Sequence, residues 1–286
     1  MGEFLVGGVR LRTPVLNAAG VMGFGASYAD YFDLDVLGAL VTRSVTARPC
    51  LGNPRPRLYE APSGVLHAVG FQNGGIDGFI RVFYKKLEEL PVPVVLSLYG
   101  APGELAEMCE KARPLGRIAA VEVNAFITPG DYYALGEQAY YDRLARQVEA
   151  CAGCGKPVWA KLMPMAGDIV RAAKAAEAAG ARAAVCCNAF WAKALDPASG
   201  ASRLSVEAAG LSGPAIKPIA LFLAARVAEE TGLDVVGCGG IMNEADAREY
   251  LRAGAKAVAV GSASFAEPES AGRIARALAG EGGAWK

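Results

Sequence analysis

The sequence predicts an eight-stranded parallel α/β barrel, the TIM (β/α)8 fold, spanning residues 1–286 as one domain. Three observations carry this. Short apolar runs alternate with amphipathic segments of helical length. Strands that alternate with helices form a parallel sheet, and runs apolar on both faces fit strands buried on both sides. Eight such units fit within 286 residues, which favours a closed barrel over a doubly wound sheet.

The elements read in order as follows. Phe4 to Arg12, with Gly7-Gly8 between short apolar stretches, predicts an N-terminal β-hairpin. Val15–Gly20 is the first barrel strand, Tyr28–Phe32 a short helix and Ala39–Ser44 the second strand. A Pro- and Gly-rich loop covers Pro49–Gly75, long enough to suggest function. Ile76–Leu90 is amphipathic and helical. Regular alternation follows: strand Val94–Leu98, helix Pro102–Arg113, strand Ala119–Asn124, an irregular loop and helix Ala139–Ala152. Next come strand Pro157–Lys161, helix Gly167–Ala179 and strand Ala183–Asn188. A second long loop, Phe190–Gly213, precedes helix Pro214–Thr231. The last two strands are Val235–Ile241 and Ala255–Ala263.

Composition narrows the function. Hydrophobic residues make up 53% and charged residues 20%, and Lys+Arg and Asp+Glu are both 29. A net charge of zero gives no electrostatic footprint for nucleic acid or an anionic membrane. No apolar run reaches the ~18 residues of a membrane span, and no basic region precedes an apolar core at the N-terminus. A soluble cytoplasmic protein is expected. The 7 cysteines are scattered through apolar segments, as buried free thiols are. Cys151-x-x-Cys154 stands alone and His67 is the sole histidine, so no metal site is expected.

Two strand–Gly–helix units close the chain. Gly239-Gly240 and Gly261-Ser262 each end a buried strand, with helix starts read at Asn243–Asp246 and Glu267–Glu269. Free N–H groups at helix starts bind anions, so the pair predicts a phosphate cup after strands seven and eight. Polar residues also fall at strand ends: Asn17, Thr42, Arg43, Ser44, Ser97, Asn124, Lys161 and Asn188. In a barrel these surround the ligand. Lys161 is the most telling, because a lysine ending an apolar strand must face an anion or an electron-rich ligand.

Several segments together resemble the dihydroorotate dehydrogenase family, class 1. They are Asn17-Ala18-Ala19-Gly20, Thr42–Thr46 with Gly52–Arg57, Gly70-Phe71-Gln72-Asn73, Leu211–Pro218, Gly239-Gly240-Ile241 and Gly261-Ser262-Ala263. The likeness is closest to the FMN-containing subunit that pairs with an iron–sulfur flavoprotein, and it covers nearly the whole chain. It implies an FMN-binding barrel in which Ala19, Gly20, Ser44, Asn124, Lys161, Gly213, Gly239, Gly240, Gly261 and Ser262 line the cofactor. Lys161 would stabilise negatively charged reduced flavin. A homo-oligomer is expected on the resemblance alone. The last helix, ending soon after Ala277, looks shorter than the family's.

The substrate side departs from the family pattern. Ile127 falls where a cysteine base is expected, and Ile accepts no proton. Arg43 replaces a lysine and His67 an asparagine, while Asn188 is kept beside Ala189. Arg43, His67, Phe71, Asn124, Ile127 and Asn188 are expected around the substrate. Candidate catalytic residues are Lys161, Arg43, His67 and Thr128. Arg43 suits a carboxylate or carbonyl, and His67, ordinarily titrating near ~6.5, suits acid or base work. A cofactor wall retained beside an altered substrate wall predicts hydride transfer between a small-molecule C–C bond and flavin, on a substrate other than dihydroorotate. Two alternatives stand beside it. One is a true dihydroorotate dehydrogenase with Thr128, after a small loop shift, or His67 as base; the other is a non-catalytic FMN-binding partner subunit.

Overall fold

The structure is a computed structural model and describes residues 4–279. Strands β1 (Phe4–Val6) and β2 (Val9–Leu11) form the expected antiparallel hairpin. Its turn is locked under the barrel. Gly7 has φ +51°, and a Cβ there would meet Trp159 Nε1, so only glycine fits this close approach. Trp159 Nε1 donates to the Gly7 carbonyl at 3.0 Å, and Gly7 N–H donates to Asp234 Oδ2 at 2.8 Å.

The barrel begins with β3 (Val15–Asn17) and β4 (Leu40–Val41). Next in the chain are β5 (Leu58–Ala61) and β6 (Gly64–His67), which lie outside the barrel. Barrel strands β7 (Val94–Leu98), β8 (Ile118–Asn124), β9 (Val158–Lys161) and β10 (Ala183–Cys186) follow. Strands β11 (Phe190–Ala192) and β12 (Ala209–Ser212) again lie outside, and β13 (Asp234–Cys238) and β14 (Ala257–Val260) complete the set. The eight-stranded sheet runs β4-β7-β8-β9-β10-β13-β14-β3 with parallel pairing throughout. A parallel bridge between Leu16 and Ala39 closes it, giving the barrel the sequence predicts.

Strand alternation separates two apolar layers. Inside the barrel Leu16, Val41, Val95, Trp159, Val185 and Val236 pack with Val6, Val9 and Leu11 of the hairpin, which plugs the amino-terminal end. The opposite faces pack Val15, Leu40, Val94, Val121, Val123, Val235 and Val258 against the helices. Each large side chain buried this way stabilises by about 1.5–3 kcal/mol relative to exposure. The helices include α1 (Gly75–Phe79) and α2 (Lys85–Glu88), joined through a π-helical segment at Ile80–Tyr84. Then come α3 (Pro102–Ala112), α4 (Pro129–Leu135), α5 (Glu137–Ala152), α6 (Ile169–Ala178), α7 (Lys217–Glu230), α8 (Glu244–Arg252), α9 (Ala263–Ala266) and α10 (Ser270–Ala279). Among the described residues, no helix is long and apolar enough to cross a membrane.

The structure corrects several local readings. Tyr28–Phe32 is not a helix; 3-10 turns at Ala26–Tyr28 and Leu34–Val36 flank it. The second strand is confined to Leu40–Val41, although Val45 bridges Leu98 further on. The two long loops are not structureless. Their strands pair antiparallel in the order β11-β12-β6-β5, a sheet on the carboxyl side of the barrel. The irregular loop after the fourth barrel strand holds α4, started by Thr128 and Pro129. A short α9 follows Ser262 directly, and α10 starts only at Ser270.

Candidate functional site

A cavity of about 770 Å³ opens at the carboxyl ends of the barrel strands, within the range of about 300–1,000 Å³ seen for small-molecule sites. Its wall includes Ala19, Gly20, Arg43, Ser44, His67, Phe71, Asn124 and Thr128. Lys161, Asn188, Gly213, Gly239, Gly240, Gly261 and Ser262 complete the predicted set that reaches it. Strand alternation explains the convergence. Lys161 shares a strand face with interior Trp159, and Asn124 shares one with Glu122.

Three features seek negative charge. Lys161 is 5% exposed, and its ammonium makes no hydrogen bond or ion pair among the described residues. Burial opposes its ammonium, but Cys238, Glu122 and Cys187 around it outweigh that and hold its pKa up. Burial in turn raises the Cys238 and Cys187 thiols. Arg43 is half-buried and has no ion pair among the described residues; burial and then the neighbouring Arg57 lower its pKa. The amides of Gly240, Gly261 and Ser262 have no backbone acceptor among the described residues.

The glycines there are held by tight packing. Gly239 has φ +139°, and an added Cβ would lie 2.7 Å from the Ala220 Cβ; one on Gly240 would lie 2.7 Å from the Lys217 Cβ. The helix start at Asn243 takes no part, contrary to the sequence reading. The Asn243 side chain accepts from Ala245 N and Asp246 N, and the Asp246 carboxylate accepts from Met242 N and Asn243 N. Those amides are spent on the helix's own cap. The amides left free at this end of the cavity include those of Gly240, Gly261 and Ser262. Unpaired amides at one end of the cavity and an unpaired lysine on its wall fit a phosphate-bearing group with an electron-rich ring, as FMN is.

The substrate side differs from the sequence reading at two positions. Ile127 does not line the cavity. It is 1% exposed and packs in the apolar layer around the barrel, with only its carbonyl engaged, by Trp191 Nε1 at 3.1 Å. The chain turns there, and the next residue, Thr128, reaches the cavity. Thr128 Oγ1 donates to Asp131 Oδ2 at 2.6 Å and accepts from Asp131 N at 3.1 Å. His67 sits on β6 with Nε2 at 2.9 Å from Ser212 Oγ. Burial, then the nearby Lys161 charge, lowers its pKa from 6.5 to about 4. At neutral pH it is an uncharged imidazole in a hydrogen bond, poorly suited to act as an acid and a weaker base than an ordinary histidine.

The sequence reading places Phe71 and Phe126 at the pocket, but the aromatic wall they form with Tyr99 and Trp191 escaped it. Phe71, in the left-handed region at φ +55°, stacks on Tyr99 at 3.9 Å and 7° and meets Phe126 edge-on at 5.4 Å. Tyr99, Phe126 and Trp191 line the cavity with it. Tyr99 directly follows β7, the one signal that marked it in the sequence. Asn17, in contrast, faces away from the cavity.

A family model described as dihydroorotate dehydrogenase matches residues 3–281. Similar proteins include three described as "Dihydroorotate dehydrogenase B (NAD(+)), catalytic subunit". That of Citrifermentans bemidjiense is 39% identical over 277 residues, covering 96% of this chain and 90% of the relative. That of Geotalea uraniireducens is 39% identical over 278 residues, with the same coverage of both chains. That of Desulforudis audaxviator is 39% identical over 277 residues, again with 96% and 90% covered.

Proposed function

The chain belongs to the dihydroorotate dehydrogenase family, and on that premise we propose that it oxidises dihydroorotate to orotate with FMN as its cofactor. The observation that carries this is Lys161, a buried cation without an ion pair, on the wall of a cavity that Arg43 also enters unpaired. Two separate cations suit two separate demands, an electron-rich cofactor ring and a substrate carboxylate.

Turning a C–C bond into C=C removes a proton from one carbon and a hydride from its neighbour. Bound in the cavity, FMN supplies the hydride acceptor. The protein must supply the proton acceptor, and Thr128 with Asp131 is the pair placed for it. Asp131 accepts the Thr128 proton at 2.6 Å, so Thr128 can take a proton from carbon as it passes its own to the carboxylate. Ile127 and the low-pKa His67 offer nothing comparable. Arg43 orients the carboxylate, while Phe71, Tyr99 and Phe126 exclude water.

The relatives over 96% of the chain favour dihydroorotate over the different substrate that the altered positions suggest. A different CH–CH substrate stays as the second reading because the aromatic wall and Arg43 form part of the substrate side. One experiment separates them. FMN-loaded protein is mixed anaerobically with dihydroorotate, and bleaching of the flavin band supports the first reading. An intact band, with bleaching by dithionite, supports the second. The relatives are described as a catalytic subunit and with NAD(+); on that ground we take this chain, too, to work with a second subunit, and the family resemblance points to an iron–sulfur flavoprotein that passes electrons onward.

A further inference from the structure

Along the cavity wall a row of polar side chains crosses four strand ends and stops, behind it, at a carboxylate. Asn188 Nδ2 donates to Asn124 Oδ1 at 2.8 Å, and Asn124 Nδ2 donates to Ser44 Oγ at 2.9 Å. Ser44 Oγ lies 2.9 Å from Ser97 Oγ, and Ser97 Oγ donates to Glu122 Oε1 at 2.8 Å. Ser44, Ser97, Glu122 and Asn124 are all buried.

The direction of every bond in this row follows from its last member. Ser97 is the donor to Glu122, and a hydroxyl has one proton to give. Ser97 spends its proton on Glu122, so Ser44 must donate to Ser97, and Ser44 then accepts from Asn124. Asn124 Oδ1 receives Asn188 Nδ2 and, at 3.2 Å, the Phe126 N–H. Asn188 Oδ1 receives the Ala189 N–H at 2.9 Å. Each amide oxygen is thus engaged, and each amide nitrogen keeps one N–H beyond the row. Asn124 and Asn188 both line the cavity. A buried network settled this way is rigid, and its orientation costs nothing when a ligand enters.

We propose that Glu122 is a positioning residue that orients Asn124 and Asn188 through Ser97 and Ser44, so that the wall beside Lys161 presents hydrogen-bond donors to an electron-rich ring. Glu122 touches no ligand itself. It also supports the Lys161 charge from behind the wall, so one carboxylate serves two donors. The inference rests on FMN as the cofactor and is independent of dihydroorotate as the substrate.

The test compares wild type with Glu122→Gln and Ser97→Ala. A glutamine can donate as well as accept, so it leaves the row without a fixed direction; Ser97→Ala cuts the row and keeps the carboxylate. FMN binding to apoprotein should weaken about tenfold in each, and the flavin midpoint potential should shift negative in each, a change that loss of stability alone does not produce. If Glu122→Gln does not fold, Ser97→Ala decides. If wild type binds no FMN, the function reading fails, and the side-chain amide NMR signals of Asn124 and Asn188 in apoprotein judge the inference separately: slow exchange in wild type and fast exchange in both variants are expected. Wild-type FMN affinity and potential in both variants, or unchanged amide signals, overturn it.

Discussion

Asn17 and Val41 exchange two hydrogen bonds across the seam where the barrel closes. Asn17 Nδ2 donates to the Val41 carbonyl at 2.7 Å, and Val41 N–H donates to Asn17 Oδ1 at 2.9 Å. A carboxamide carries the same donor and acceptor as a peptide, so this side chain stands in for a strand rung where β3 and β4 meet. Asn17→Ala should destabilise by about 2–4 kcal/mol, because it leaves a buried N–H and C=O unpaired. Asn17→Asp should cost at least as much, since its second oxygen faces the Val41 carbonyl. Urea unfolding checks both, and a loss below about 1 kcal/mol would show the seam closing without Asn17.

Lys161→Ala should separate cofactor retention from cofactor reduction. The Gly240, Gly261 and Ser262 amides remain, so some FMN stays bound. The rate of flavin reduction should fall about 10²-fold, as when one preorganised charge-stabilising group is removed. Stopped-flow absorbance measures it. Unchanged reduction would mean that Lys161 does not face the reduced ring.

The barrel was legible because its strands are apolar runs and its helices are amphipathic, and each signal is local. The sheet outside the barrel was not, because β6 meets β12 with Leu66 opposite Leu211, a pairing across far too much sequence for any window. Asn17 reads as a ligand residue from its place at a strand end, yet it faces outward, where Val41 occupies it. Ile127 was misplaced by matching position to position; the chain turns its side chain into the apolar layer and presents Thr128 instead. Glu122 carried a signal that went unused, since in Val121-Glu122-Val123-Asn124 alternation puts it on the face of Asn124.

Stability should depend on pH through His67. Its pKa is 6.5 in the unfolded chain and about 4 in the fold, so the unfolded state binds more protons between those values. The contribution is therefore fully present above pH 6.5 and is lost as pH falls towards 4. The full shift corresponds to about 3 kcal/mol, and the ring's partial opening to the cavity reduces the expected loss to about 2 kcal/mol. His67→Gln, which can still pair with Ser212, should flatten this slope in urea titrations at a series of pH values. An unchanged slope would place the titrating group elsewhere.

The proton path makes a sharper demand. Thr128 is a poor base alone, and its usefulness depends on Asp131 drawing the hydroxyl proton across 2.6 Å. Removing either partner should therefore cost nearly the same. Thr128→Ala and Asp131→Asn should each slow anaerobic flavin reduction by dihydroorotate about 10²–10⁴-fold, with FMN affinity unchanged. Thr128→Cys should keep much of the rate and move its pH dependence towards a thiol's, near ~8.5. Ile127→Cys should restore nothing in a Thr128→Ala background, because residue 127 packs away from the cavity. Rescue by that cysteine would instead mean that the turn at Ile127 rearranges when substrate binds, and the base would then be assigned to position 127.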